Sequence, residues 1–203
     1  MDIERRAFDA DKLILEVRAD GKRTLAGHAA VFDQLSEDLG GFRERIIPGA
    51  FAEAIKNDDV RALLGHDANF LLGRNRSGTL RLSEDSKGLA IEIDLADTQF
   101  VRDLVVTPIE RGDLSQMSFG FSVRSSGGQS WEQTDAGMVI RTLSSLRLFD
   151  VSPVAFPAYP QTDVAMRHLH VWQDHAKPVT PESLDVGLAL TLMRARTRQA
   201  LIK

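Results

Sequence analysis

Short segments of alternating apolar and polar residues, separated by turn residues, fill the first 165 positions of the sequence. Alternation with a period of two predicts strands that bury one face, and the turn residues between them favour a mainly antiparallel arrangement. The predicted strands cover residues 13–18, 24–32, 60–64, 79–82, 89–95, 115–124, 138–143 and 146–152. The pattern therefore predicts a mainly β fold with some helix, in the α+β class.

Three segments have helical rather than strand features. Residues 48–55 begin with Pro48, which is favoured in a first helical turn. Asp97 or Thr98 could cap a second helix, over residues 98–110. A third helix is predicted from Thr180-Pro181, because leucines follow at near-helical spacing and basic residues collect at its end. The composition changes after about residue 172, which predicts a main domain at 1–172 and a linker with an amphipathic basic C-terminal helix at 173–203.

Composition narrows the possible chemistry. The 203 residues are 43% hydrophobic and 27% charged, with a net charge of −4, as in a globular domain without general affinity for nucleic acid or membranes. No apolar run is long enough to span a bilayer, and the first residues do not have the pattern of a secretory signal. With no cysteine, disulfides, thiolate metal sites and cysteine nucleophiles are excluded, so covalent catalysis would need Ser, Thr, Lys or a carboxylate.

Ser118 is a candidate nucleophile because of its place in a predicted strand. Met117, Phe119 and Phe121 occupy one face of that strand, so Ser118 faces away from the core they build. Gly120 leaves room for another backbone or a substrate. The competing interpretation is an ordinary solvent-facing serine, which is common on strands.

His66 and Asp150 are candidate partners for a serine. His66 follows an apolar run and a glycine, which places it at the rim of a sheet, although a structural role would also explain it. Asp67 is a poor partner because neighbouring strand residues point to opposite faces. Asp150 lies in an apolar strand where a carboxylate needs a partner, either His66 or a basic residue in a structural ion pair. A serine protease needs this combination of hydroxyl, imidazole and acid.

A second group of histidines lies near residue 172. His168, His170 and His175 have spacings that would allow chelation if the segment were extended. The segment resembles a linker and lacks a carboxylate scaffold, so we expect no metal site and no cofactor.

Six motifs, in order along residues 25–167, resemble those of the prohead protease family of tailed phages. They are GHAAVF at 27–32, ERIIPGAF at 44–51, LGHD at 64–67, LGR at 72–74 with GTL at 78–80, MSFGF at 117–121, and DVS at 150–152 with PAY at 157–159. That family is related in fold to the herpesvirus maturation protease. The resemblance implies an antiparallel β-barrel-like core surrounded by helices.

The resemblance also implies roles for individual residues. Ser118 corresponds to the family's nucleophile and His66 to its base. Asp150 corresponds to the acid, where family members often carry Glu. The herpesvirus relatives use a second histidine instead, which makes His28 the alternative third member.

The function implied by the resemblance is proteolysis during capsid maturation. The expected substrates are the scaffold segment of the major capsid protein and the protease itself, inside the procapsid in the cytoplasm of a bacterial host. A non-enzymatic capsid-assembly or scaffold-binding component is the alternative. The sequence leaves open the cleavage site, the oxyanion hole, a homo-oligomeric state, and whether the source is a phage, a prophage or a gene-transfer particle.

Overall fold

A computed structural model describes residues 3–8, 13–19, 21–156 and 163–176. The chain divides into two compact units, Met1–Arg167 and His168–Lys203, and the sheets and the site described below belong to the first. Among the described residues, no helix is both long and apolar enough to cross a membrane.

Twelve strands dominate the described residues. They are β1 (Glu4–Phe8), β2 (Ile14–Val17), β3 (Arg23–Val31), β4 (Arg43–Ile46), β5 (Arg61–Leu64), β6 (Asp67–Arg74), β7 (Leu80–Glu84), β8 (Gly88–Leu95), β9 (Gln116–Val123), β10 (Gln129–Gln133), β11 (Val139–Leu143) and β12 (Leu146–Val154). They form three sheets with the orders β1-β9-β12-β5-β6, β10-β11-β4 and β2-β3-β8-β7. All pairings are antiparallel except β12 with β5 and β11 with β4.

The described helices are few and mostly short. They are α1 (Ala52–Asn57), α2 (Gln99–Val101), α3 (Thr107–Arg111) and α4 (Asp163–Ala176), with a π-helical segment at Arg102–Val106 between α2 and α3. The hydroxyl of Thr98 accepts a hydrogen bond from the backbone N–H of Val101 and so caps α2. The helix predicted at 98–110 is therefore confirmed.

The core forms where the apolar faces of the strands meet. The predicted inward residues of β8, Leu89, Ile91, Ile93 and Leu95, are all buried. On β9, Phe119 packs edge-on against Phe51 with ring centroids 5.6 Å apart, and Phe121 lies 5.1 Å from Phe119. These aromatic contacts hold β9 firmly against the core, so residues on its opposite face have fixed positions.

The fold differs from the sequence prediction in several respects. The three sheets are open among the described residues, so no closed barrel is present and few helices surround the core. Strands β1, β4, β6 and β10 were not predicted, because charged or polar residues interrupt their alternation. Pro153 does not end pairing as expected: β12 continues to Val154, and the carbonyl oxygen of Pro153 accepts a hydrogen bond from Gly65. The C-terminal helix predicted from residue 180 lies outside the described residues.

Candidate active site

The candidate site lies on the face of β9 and β12 that points away from the aromatic core. Ser118 pairs with Ser152 across the two strands, and Gly120 pairs with Asp150. Residues that pair across antiparallel strands point to the same side, as do alternate residues along one strand. The register therefore places the hydroxyl of Ser118 and the carboxylate of Asp150 on one face.

A β-bulge in β12 makes this arrangement possible. The register shifts between Leu148, opposite Phe121, and Asp150, opposite Gly120. Leu148 and Val151 are three residues apart and are nevertheless both buried, since Phe149 is the extra residue. If this segment were a regular strand without a bulge, Asp150 would point to the same face as Leu148, because alternate residues share a face.

A carboxylate supports the backbone beside the bulge. The N–H of Leu148 donates to Asp58 at 2.9 Å, and Asp58 also accepts a hydrogen bond of 2.5 Å from the guanidinium of Arg124. Arg124 in turn donates to the carbonyl oxygen of Leu146 at 3.2 Å. The backbone groups freed near the bulge thus have partners, as buried peptide groups require.

His66 reaches the site from a tight turn between β5 and β6. Gly65 and His66 both have φ of 61°, and Leu64 pairs with Asp67, so the two residues form a hairpin loop. Positive φ at both positions is typical of the type I′ turn, and histidine tolerates this conformation better than most residues. Since β5 lies beside β12 in the sheet, the turn carries the imidazole over the neighbouring strand.

Both ring nitrogens of His66 are hydrogen bonded to predicted site residues. Nε2 lies 2.7 Å from Oγ of Ser118, and Nδ1 lies 2.5 Å from Oδ2 of Asp150. The side chains of His66 and Asp150 are 8% and 10% exposed, and Ser118 is fully buried. The structure thus brings together a hydroxyl, an imidazole and a carboxylate in the order needed to pass a proton from oxygen to nitrogen.

Two further residues position Asp150 and were not identified as such from the sequence. The hydroxyl of Ser152 donates to Oδ2 of Asp150 at 2.8 Å, so that oxygen has both His66 and Ser152 as partners. At Gly120, an added Cβ would collide with Oδ1 of Asp150. We expected Gly120 to leave space for a backbone or a substrate, but the space holds the Asp150 carboxylate. The sequence signal that could have identified Ser152 is its position two residues after Asp150, which places both side chains on one face of the strand.

The alternative partners considered from the sequence have other contacts. Nε2 of His28 is 2.9 Å from Oδ2 of Asp85, and this hydrogen bond is the main cause that lowers the pKa of Asp85 to about 2. Asp67 accepts hydrogen bonds from the backbone and side chain of Asn69. Since both nitrogens of His66 already have partners, neither His28 nor Asp67 occupies the third position in this geometry.

The other three histidines lie in a helix rather than in an extended linker. His168, His170 and His175 belong to α4. Residues two apart on a helix point in widely different directions, so His168 and His170 do not share the face that we considered for an extended segment. In the described ranges, no group of three or more His, Asp or Glu side chains is arranged to hold a metal ion.

Comparison with known proteins gives a family match, a similar curated protein and a similar solved structure. The profile of the Caudovirus prohead serine protease family matches residues 12–175. The prohead protease of Enterobacteria phage HK97 is 28% identical over 164 residues, covering 79% of this chain and 67% of that protein. The solved structure of the capsid assembly protease of bacteriophage T4 aligns with a TM-score of 0.46 and 10% identity, over 75% of this chain and 96% of that one.

Gly120→Ala should displace the Asp150 carboxylate and break its hydrogen bond to His66 while leaving the fold largely intact. A short hydrogen bond to a carboxylate gives a strongly downfield proton NMR signal, which should disappear in this variant. Gly127→Ala is the matched control, because a Cβ at Gly127 meets no atom within 4 Å. An unchanged downfield signal in Gly120→Ala would show that the carboxylate does not depend on this space.

Proposed function

The chain belongs to the Caudovirus prohead serine protease family, and we propose that it hydrolyses peptide bonds with Ser118 as nucleophile, His66 as general base and Asp150 as orienting acid. The observation that carries the assignment is the bridging of His66, with Ser118 at 2.7 Å from one ring nitrogen and Asp150 at 2.5 Å from the other. The residues implied by the family motifs are also the ones in contact.

The proposed mechanism uses each contact in turn. The Asp150 carboxylate accepts a hydrogen bond from Nδ1–H of His66. Nε2 is therefore unprotonated and takes the proton of Ser118 as Oγ attacks the scissile carbonyl. The protonated His66 then gives this proton to the leaving amine, and an acyl group remains on Ser118. Water, deprotonated by His66, hydrolyses the acyl-enzyme and restores the hydroxyl. Ser152 keeps Asp150 oriented throughout.

For the substrate, we propose the scaffold segment of the major capsid protein and a segment of the protease itself. Cleavage would take place inside the procapsid, in the cytoplasm of a bacterial host. The family description and the name of the similar HK97 protein, a prohead protease, support this substrate class. The protease would need no membrane, nucleic acid, metal or cofactor for this reaction.

Ser118→Ala and His66→Ala should each abolish cleavage of purified coat protein. The two losses should be about equal and should not add in the double variant, because nucleophile and base act as a unit. The measurement is the appearance of a shortened coat protein on a gel, with mass spectrometry of the products. Activity should survive EDTA and thiol reagents. Cleavage by folded Ser118→Ala at the parent rate would contradict the proposed nucleophile. Absence of any shortened product with the folded parent protein would favour a non-enzymatic assembly role.

Asp150→Asn should lower the cleavage rate by about 10⁴, as expected when an acid fixes the tautomer of the histidine. His28→Ala should have a small effect, because His28 contacts Asp85 rather than His66. Rates measured on one peptide substrate, with folding checked by circular dichroism, compare the two variants. A greater loss in His28→Ala than in Asp150→Asn would assign the third role to His28.

The domain division also remains a proposal. We propose that residues 1–172 form the protease domain and that residues 173–203 carry a helix that docks on coat or scaffold protein. A chain without residues 176–203 should then cleave free substrate but be lost from assembled procapsids. Loss of activity on free substrate would instead assign these residues to the protease core.

A further inference from the structure

The edge strand β1 lies directly against the candidate nucleophile. In the register of β1 with β9, Ala7 is opposite Ser118 and Arg6 is opposite Phe119. The Ser118 hydroxyl is 2.9 Å from the carbonyl oxygen of Arg6 and is positioned to donate a hydrogen bond to it. Since Ser118 has no exposed surface, no peptide can approach its oxygen in this arrangement.

The contact with Arg6 competes with the chemistry of Ser118. A serine hydroxyl carries one proton, and two acceptors are within reach: the carbonyl oxygen of Arg6 at 2.9 Å and Nε2 of His66 at 2.7 Å. When the proton points to Arg6, His66 cannot accept it. Attack on a substrate requires the proton to point to His66, so β1 holds the site in an arrangement that opposes reaction.

A buried group of four charges fixes β1 in this register. Arg6 donates to both Glu4 and Glu44, and Arg141 also donates to both glutamates, at distances of 2.7–3.1 Å. The four side chains are at most 4% exposed. Burial lowers the pKa of Arg141, but hydrogen bonds and charge attraction from Glu4 and Glu44 outweigh it and raise the pKa overall.

The four charges divide into one acid and one base on β1 and one acid and one base on other strands. Glu4 and Arg6 belong to β1, whereas Glu44 lies on β4 and Arg141 on β11. If β1 leaves, Glu44 and Arg141 still pair with each other at 2.9 Å. A buried ion pair often contributes little net stability, since desolvation offsets much of the attraction between its charges. The four charges are therefore suited to dock one particular strand reversibly.

We propose that β1 is an inhibitory strand, and that it occupies the edge of β9 to which an extended peptide substrate must pair. This inference rests on the proposed function of Ser118. Because β1 is the outer neighbour of β9, its departure would leave a free strand edge beside the nucleophile. Such edges bind extended peptides through main-chain hydrogen bonds. Residues 4–8 also precede the part of the chain, residues 12–175, that the family profile matches.

The test is the rate at which a fluorophosphonate probe labels Ser118 in the full chain. The double variant Glu4→Gln/Arg6→Gln removes the β1 half of the charge group; the first change keeps the side-chain length and the second shortens the side chain. We expect labelling and peptide cleavage to accelerate by about tenfold or more, because both rates scale with the fraction of molecules in which the site is open. The matched control is Glu16→Gln/Arg18→Gln, which neutralises an exposed acid and base at the same spacing and should label at the parent rate.

A deletion variant and a synthetic peptide distinguish release of β1 from a general loosening of the fold. Deletion of residues 1–8 should accelerate labelling as well, and a synthetic peptide of residues 1–8 should slow it again. The same peptide with glutamine at positions 4 and 6 should have less effect. Circular dichroism and thermal unfolding report whether each variant is folded.

The outcomes distinguish this inference from the proposed function. Equal labelling of Ser118 in the parent, the double variant and the deletion variant would overturn the inhibitory role and leave the nucleophile assignment intact. Failure of both variants to fold would also overturn it, because β1 would then be an integral part of the fold. Absence of labelling at Ser118 in every folded variant, with no cleavage, would contradict the proposed function itself.

Discussion

The pairing of β9 with β12, with its bulge at Phe149, is the constraint on which the site depends. The aromatic side chains of β9 are fixed in the core on one face, so the other face is fixed as well. The bulge then reverses the direction of the side chains along β12 from Asp150 onwards. As a result, one pair of strands builds an apolar core on one side and presents Ser118, Asp150 and Ser152 on the other.

Strand β5, the other neighbour of β12, contributes the third residue of the site from the turn that follows it. His66 lies at the end of β5 in a left-handed conformation, which directs its ring between Ser118 and Asp150. The N–H of Gly65 donates to Pro153 of β12, so the turn is attached to the strand that carries the acid. Buried polar groups hold other parts of the backbone in place. Asp58 accepts a hydrogen bond from the backbone beside the bulge, and the four paired charges align β1.

The sequence was sufficient for those features that depend on side-chain type and alternation. The strands around Ser118 and Asp150 and the hairpin between β7 and β8 were predicted because their apolar residues repeat with a period of two. The residues brought together at His66 were predicted from motif resemblance together with the need of a buried carboxylate for a partner.

Other features could not be predicted because they depend on backbone geometry or distant pairing. The bulge at Phe149 has no side-chain signature, and the space at Gly120 acquires meaning only when Asp150 is opposite it. The sequence of β1 has the pattern of an exposed polar segment. Glu4 and Arg6 can nevertheless be buried, because they pair with Arg141 and Glu44. The hydrogen bond from Ser118 to the backbone carbonyl oxygen of Arg6 could not be predicted, because every residue has such a carbonyl. The barrel-like core was expected from a fold relationship rather than from residues, and the described strands form three open sheets.

The central claim is that Ser118 becomes covalently acylated during peptide hydrolysis. The most direct test is to mix the protein with a cleavable peptide, quench the reaction with acid during turnover, digest the protein and map the acyl group by mass spectrometry. We expect an acyl group on Ser118 that accumulates with turnover and is absent from Ser118→Ala. Continued product formation with Ser118 unmodified, or an acyl group on a different residue, would contradict it.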